Sequence, residues 1–435
     1  NGQREFKNGN GTIKRGMWML HRKNKNLRLV RESEESVDKL ADEIMTELNS
    51  EGNSVEELEA QVREQRLRFR RRTVIIVAVA AIAAAALFLL VNLQTYTKAR
   101  VSDTYKIRGV SDSNYEEFVG GVLKYSRDGV SYLNRKGEEQ WNQPCQIKNP
   151  FVDVNEVSAV VADKGGNDIM IFQREGLKGE IKTTLPIEKI SVSEQGIVSV
   201  IVKNEFDPSI ICYDAAGNVL VELQASFEGE GYPVDVAISG DGEVMQVVYL
   251  CMKDAVVSSK VSYYNFGKKG EEKTDREVET KEYKSSVVGT GFFLNQSVSA
   301  VVGDNCLTLF KGKAVPKEVT TVTIDKEIQS VFHNERYIGM ILKNEGKEGY
   351  ELCLYNAAGK KVMSKDFTGN YKNAKISGNQ VILYDGKKCR IFLRSGVEKF
   401  QGEMNNNIME IIPTFGVNKY IVMNANGMED IRLVK

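Results

Sequence analysis

One hairpin is written repeatedly along this chain, and its spacing limits the fold more than any other feature. "ICYDAAGNVL" (Ile211–Leu220) returns as "LCLYNAAGKKVM" (Leu352–Met363). Related versions are "VSYLNRKGEEQW", "IMIFQREGLKGEI", "VSYYNFGKKGEE", "LTLFKGKAVPKEV", "CRIFLRSGVEKF" and a degraded "IVMNANGMEDIRLV". Each is a short strand, a polar turn with glycine, and a second strand. The turn glycines are Gly137, Gly176, Gly217, Gly267, Gly312, Gly359, Gly396 and Gly427, at intervals averaging near 41 residues. Further apolar runs such as "VSAVVAD", "IVSVIVKN" and "YIGMILKN" precede the turns. Four short strands per unit at this period predict the blades of an all-β β-propeller. One such unit cannot cover both its faces, whereas units stacked around an axis bury both and leave short edges. Eight blades are expected, with seven the alternative. The last unit runs out one strand short, and "SDTYKIRGV" (Ser102–Val110) is expected to supply the missing strand and close the ring.

Ahead of the repeats, Thr73–Leu93 runs 21 residues without a charge. A helix of that length spans roughly 30 Å, the thickness of a bilayer core, and would be apolar all round. Residues 73–93 are therefore expected to be a single transmembrane helix. Arginine crowds its leading end (Arg66, Arg68, Arg70, Arg71, Arg72, with Arg63 one turn back), and the far side is sparser. The positive-inside rule then places the N-terminal segment in the cytoplasm and residues 100–435 outside. More than 50 residues precede the run even from Met17, the expected natural start, so it reads as an uncleaved signal-anchor. Residues 1–32 lack periodicity and are expected to be disordered.

Residues 33–72 read as a short helical cytoplasmic segment. Val37, Leu40, Ile44 and Leu48 make one apolar stripe; after Gly52–Asn53, Val55, Leu58 and Val62 make a second. Ser54 and Glu57 have the spacing of a capping box. Such stripes need a partner surface, and a homodimer through residues 33–93 is one expectation.

This layout, with hairpins such as "CYDAAGNVL" and "LYNAAGKKV", resembles uncharacterised single-pass membrane proteins of Clostridia-type Gram-positive bacteria, in which an Arg-flanked anchor precedes an extracytoplasmic propeller-like domain of unknown function. The resemblance covers about residues 30–435. It implies no activity and no site residue.

The residues themselves offer little chemistry. The chain holds 59 Lys+Arg against 59 Asp+Glu, so nothing draws it globally to nucleic acid. Of its two histidines, His21 falls in the cytoplasmic part and His333 in the propeller. A Ser–His–Asp relay would have to use His333, which reads instead as structural. The cysteines (Cys145, Cys212, Cys251, Cys306, Cys353, Cys389) scatter about one per blade and read as free, mostly buried thiols. Only Trp141 lies in the propeller, which disfavours a tryptophan-docked cofactor. "SGDGE" (Ser239–Glu243) and "SRDGVS" (Ser126–Ser131) read as Asp-Gly turns and not calcium loops. "FGKKGEEKTDREVETKEYK" (Phe266–Lys284) reads as a solvated insertion. No catalytic, cofactor-binding or metal-binding residue is assigned.

The function these readings favour is a non-enzymatic interaction or scaffold module of the cell envelope, tethered to the membrane and holding another envelope protein or cell-wall component. The alternatives are a glycan-directed hydrolase or lyase using carboxylates in the propeller's funnel, and a sensor signalling to its cytoplasmic helices.

Overall fold

The structure is a computed structural model, and it describes residues 38–46, 55–107, 112–203, 208–226, 229–253 and 256–435, with the side chains of 55–61, 88–92 and 253 left aside. The chain divides into two compact units, Asn1–Val91 and Asn92–Lys435.

In the first unit, residues 38–46 are helical and Val55–Asn92 form one continuous helix. The outer members of the first apolar stripe, Val37 and Leu48, lie outside the described residues, as do Ser54 and residues 1–32. Among the described residues no helix is long and apolar enough to cross a membrane. The described side chains of the Thr73–Leu93 run are interrupted after Leu87.

The second unit is a ring of eight four-stranded antiparallel sheets. The first seven blades span Asn114–Pro144, Pro150–Lys182, Ile187–Gln224, Tyr232–Tyr283, Val288–Thr323, Ile328–Phe367 and Asn373–Glu403. The eighth takes three strands from Glu410–Val434 and its fourth from Lys98–Tyr105. The closing strand thus begins four residues earlier than expected, pairing Lys98 with Val434 and Tyr105 with Met428. Residues 108–111 lie outside the described residues. In every blade but the fourth the second and third strands are largely buried; Ser158–Asp163 and Pro208–Tyr213 are buried at every position. First strands of neighbouring blades contact one another at most of the blade junctions, and fourth strands are largely exposed.

The repeated hairpin has a local cause. In "YDAAGN" the Asp214 side chain accepts hydrogen bonds from the backbone N–H groups of Ala216 and Asn218, and Gly217 takes φ +84°. Asn356 does the same for Ala358 and Lys360 with Gly359 at +74°, and Asn134 for Lys136 and Glu138 with Gly137 at +72°. In each, the register slips by one residue just before the turn, between Cys212 and Tyr213, Leu354 and Tyr355, or Tyr132 and Leu133. The turn is a capped reversal that feeds a left-handed glycine into a bulge.

Two expectations about the repeat need correction. Gly427 does not join third and fourth strands as the other turns do; it lies between the second and third strands of the eighth blade, because that blade's fourth strand comes from the front of the chain. The segment Phe266–Lys284 is only partly an insertion. Lys268–Glu271 and Thr274–Arg276 are short helical turns, but Glu277–Tyr283 is the fourth strand of its blade, polar because that strand faces solvent. Gly267, at φ −85°, precedes these helical turns and differs from the left-handed glycines.

The fourth blade departs from the rest. Its second and third strands, Val244–Lys253 and Val256–Asn265, run ten residues each. The first strand pairs only as far as Leu250, and the fourth only from Ser259. Beyond those points the two strands continue as a ribbon, with Met252 directly opposite Val257. Both are exposed, as is Val256.

Candidate functional site

Six of the eight first strands carry charged residues among their blade-packing positions: Glu116 in "NYEEF", Asp153 in "PFVDV", Lys189 in "IEKISV", Asp235 in "YPVDVAI", Lys375 in "NAKIS" and Glu410 in "EIIP". Side chains alternate between the two faces of a strand, so in these innermost strands they reach toward the neighbouring blades. The sequence reading missed them as a set. The signal was there: one or two charged residues inside the opening strand of six of the eight units.

Most of this belt joins blade to blade. Asp153 accepts a hydrogen bond from the Val192 N–H at 2.8 Å, linking the second blade to the third. Lys189 lies 3.4 Å from Asp235, which also accepts from the Thr290 hydroxyl at 2.8 Å and the Gly291 N–H at 3.0 Å, linking third, fourth and fifth. Lys375 is ion-paired to Glu410 of the eighth blade and, at 3.1 Å, to Glu117 of the first. The Tyr384 hydroxyl donates to Glu410 at 3.1 Å, and Ser377 to Glu117 at 2.8 Å. Burial alone would lower the Lys375 ammonium; Glu410 and Glu117 outweigh it and hold the proton more tightly than usual. Burial raises both Glu410 and Asp153.

Glu116 is different. Among the described residues its carboxyl has no hydrogen-bond or ion-pair partner. Burial pushes its pKa up to about 7, helped by the negative charges of Glu410, Glu117 and Asp153 and opposed by Lys375. A carboxyl that titrates near neutrality in an innermost strand can give or take a proton.

The residues weighed from sequence lie elsewhere. His333 stacks flat on Phe292, ring centroids 3.9 Å apart at 4°. Although one side of it reaches solvent, burial among the surrounding strands lowers its imidazole pKa and keeps it neutral at pH 7. Among the described residues no hydroxyl or carboxylate hydrogen-bonds to it. All six cysteines are free thiols; Cys212, Cys306, Cys353 and Cys389 are buried. Burial pushes Cys212 and Cys353 up to about 12, which makes them inert packing. Trp141 stacks between Tyr132 and Phe172 and donates to the Arg174 carbonyl at 2.9 Å, a structural role at the junction of the first two blades. Asp128–Gly129 and Asp241–Gly242 sit at hairpin turns. Among the described residues no group of histidine, cysteine or carboxylate side chains is placed to hold a metal ion.

With this geometry in view, the sequence matches the model of a family of unknown function, DUF5711, over residues 92–433. The chain belongs to that family. The matched residues reach into all eight blades, including the closing strand, and agree with the expected likeness to proteins carrying a propeller-like domain of unknown function. Host lineage and anchor are no part of the match. No curated protein matches the chain. Among solved structures it is similar to BamB from Moraxella catarrhalis, with 12% identity, a TM-score of 0.47, and coverage of 77% of this chain and 100% of that one. It is also similar to Kluyveromyces lactis Hsv2p, with 8% identity, a TM-score of 0.43, and coverage of 65% and 93%. Likenesses at that level carry nothing about partner or chemistry.

Proposed function

We propose that this protein is a membrane-tethered, extracytoplasmic propeller that holds a partner protein of the cell envelope and catalyses nothing itself. The observation that carries the reading is the fourth-blade ribbon. Val256, Val257 and Ser258 pair with a strand on one side only, and Met252 and Val257 offer an exposed apolar pair on one ribbon face. An extended segment of another protein can add along that edge, main-chain hydrogen bonds giving affinity and the apolar pair giving specificity. The tether is supported by the helix: Val74, Ile75, Ile76, Val77, Val79, Ile82 and Leu87 are all exposed, an apolar surface facing every direction. The Arg63–Arg72 cluster at its leading end supports a cytoplasmic N-terminus.

A photo-crosslinking amino acid at position 252, in cells making the full chain, tests this reading. A single reproducible envelope protein captured from position 252 and not from position 136 supports it. Equal capture at both positions, or none at 252, overturns it.

A second reading rests on Glu116. Its unpaired, near-neutral carboxyl beside Asp153 suits acid–base work on an envelope glycan. Release of soluble sugar from cell-wall material by the purified propeller, abolished by Glu116→Gln, would establish it. Equal release by wild type and variant would remove it.

A further inference from the structure

The arginines before the apolar run are arranged as a collar. They lie on one continuous helix, Val55–Asn92, so each residue advances about 100° around the axis. Arg70, Arg71 and Arg72 therefore point in three successive directions. Arg63 and Arg66 fall within about 40° of Arg70, and Arg68 within about 40° of Arg72. The sector left open holds Val62 and Phe69, seven residues apart, and Phe69 is exposed. Six guanidinium groups thus surround most of the helix, and the last stands two residues before Val74.

Few carboxylates answer them. Arg66 meets Asp38 at 3.1 Å and Arg68 meets Glu64 at 2.9 Å. Arg63, Arg70, Arg71 and Arg72 have no ion-pair partner among the described residues. After Glu64 the next carboxylate in the chain is Asp103, beyond the whole apolar run. A ring of planar, two-pronged donors, four of the six without an ion-pair partner among the described residues, directly beside an uncharged helix fits one ligand chemistry: phosphate held at a membrane surface. Orientation alone requires only an excess of positive charge on one side. It does not require distribution around the helix.

We propose that this arginine collar is a binding site for the phosphate groups of anionic phospholipids in the leaflet at the helix's N-terminal end. The inference rests on the anchor reading above. Each basic residue near an anionic membrane surface contributes about a fivefold gain in affinity, so removing three costs about a hundredfold. The Val62–Phe69 sector stays free of arginine and can face a second copy while the collar faces lipid.

The full chain, reconstituted into nanodiscs of phosphatidylcholine with one part in five phosphatidylglycerol, is the test. Carbonate extraction first asks whether the chain is integral; release into the supernatant would defeat the anchor reading itself. For retained protein, the lipid that co-purifies after detergent exchange is measured by mass spectrometry. Enrichment of phosphatidylglycerol over the bulk ratio is expected in wild type, lost in Arg70→Gln/Arg71→Gln/Arg72→Gln, and reduced but not lost in the matching lysine variant, which keeps the charge without the two-pronged donors. Inorganic phosphate at equal concentration is expected to leave it unchanged. Bulk lipid ratio in wild type, displacement by free phosphate, or co-purifying nucleic acid in place of lipid would overturn the proposal.

Discussion

The Lys375 ammonium lies 3.1 Å from the Glu117 carboxylate, which ties the seventh blade to the first across the eighth. The eighth blade's own opening strand, Glu410–Pro413, is only four residues long, and Glu410 pairs with the same lysine. One cation therefore holds three blades at the place where the ring is closed. Lys375→Met leaves a buried carboxylate at Glu410 without its counter-charge. It is expected to cost about 3–5 kcal/mol, read as a fall in the urea midpoint. Adding Glu410→Gln should restore part of the loss, and a double-mutant cycle measures the coupling.

Glu116 makes stability depend on pH near neutrality. Its folded pKa, about 7, lies above its ordinary 4.5, so the folded state binds more protons between those values. The group's contribution is fully present below about pH 4.5 and is lost as pH rises through 7. Glu116→Gln is therefore expected to melt higher than wild type at pH 8, by the equivalent of about 1–3 kcal/mol, and alike near pH 4.5. Equal melting temperatures at pH 8 would show that Glu116 ionises without cost.

Lys399 has the opposite sign. It lies in the outer strand of the seventh blade, only 3% exposed, with its Nζ 5.6 Å from the centre of the Tyr420 ring. Burial lowers its amine to about 8, against 10.5 in the unfolded chain, so the unfolded state binds more protons between those values. Thermal stability is expected to rise from pH 7.5 to 9.5 and to lose that rise in Lys399→Met. Above about pH 10 buried tyrosines such as Tyr115, raised to about 12 by burial, reverse the trend.

The two echoing turns should not tolerate alanine equally. Gly217 and Gly359 both have left-handed backbones, which costs alanine about 1–2 kcal/mol in either. A Cβ at 217 would meet nothing closer than 3.8 Å, whereas one at 359 would lie 2.5 Å from the Thr320 methyl of the neighbouring blade. Gly359→Ala is expected to lower the melting temperature clearly more than Gly217→Ala. Chemical denaturation of both variants gives the ratio.

The repeat, the blade number and the borrowing of a front strand were legible because a turn leaves a local mark. Asp214, Asn356 and Asn134 cap the same reversal, and a left-handed position demands glycine wherever it falls. The eighth unit misled for the same reason. A glycine turn looks alike whether it joins second to third strand or third to fourth, and only pairing shows that Gly427 is the former. The axial belt was harder to read, since Glu117, Lys375 and Glu410 are distant in sequence and become neighbours only when the ring closes. The fourth-blade ribbon left no mark, because Met252 and Val257 continue the apolar pattern of the strands behind them. What sets them apart is where the flanking strands stop.

The closing strand has a further consequence, for the order in which the molecule can be made. Tyr105 and Asp430, whose side chains meet at 3.5 Å, are separated by 325 residues, and the strand at Lys98–Tyr105 leaves the ribosome long before its neighbour. At synthesis rates of about 5–20 residues per second, that strand waits roughly a quarter of a minute or longer for its partner. Until the Gly427–Val434 strand has been made, the closing strand has no neighbour to pair with, and the ring cannot close.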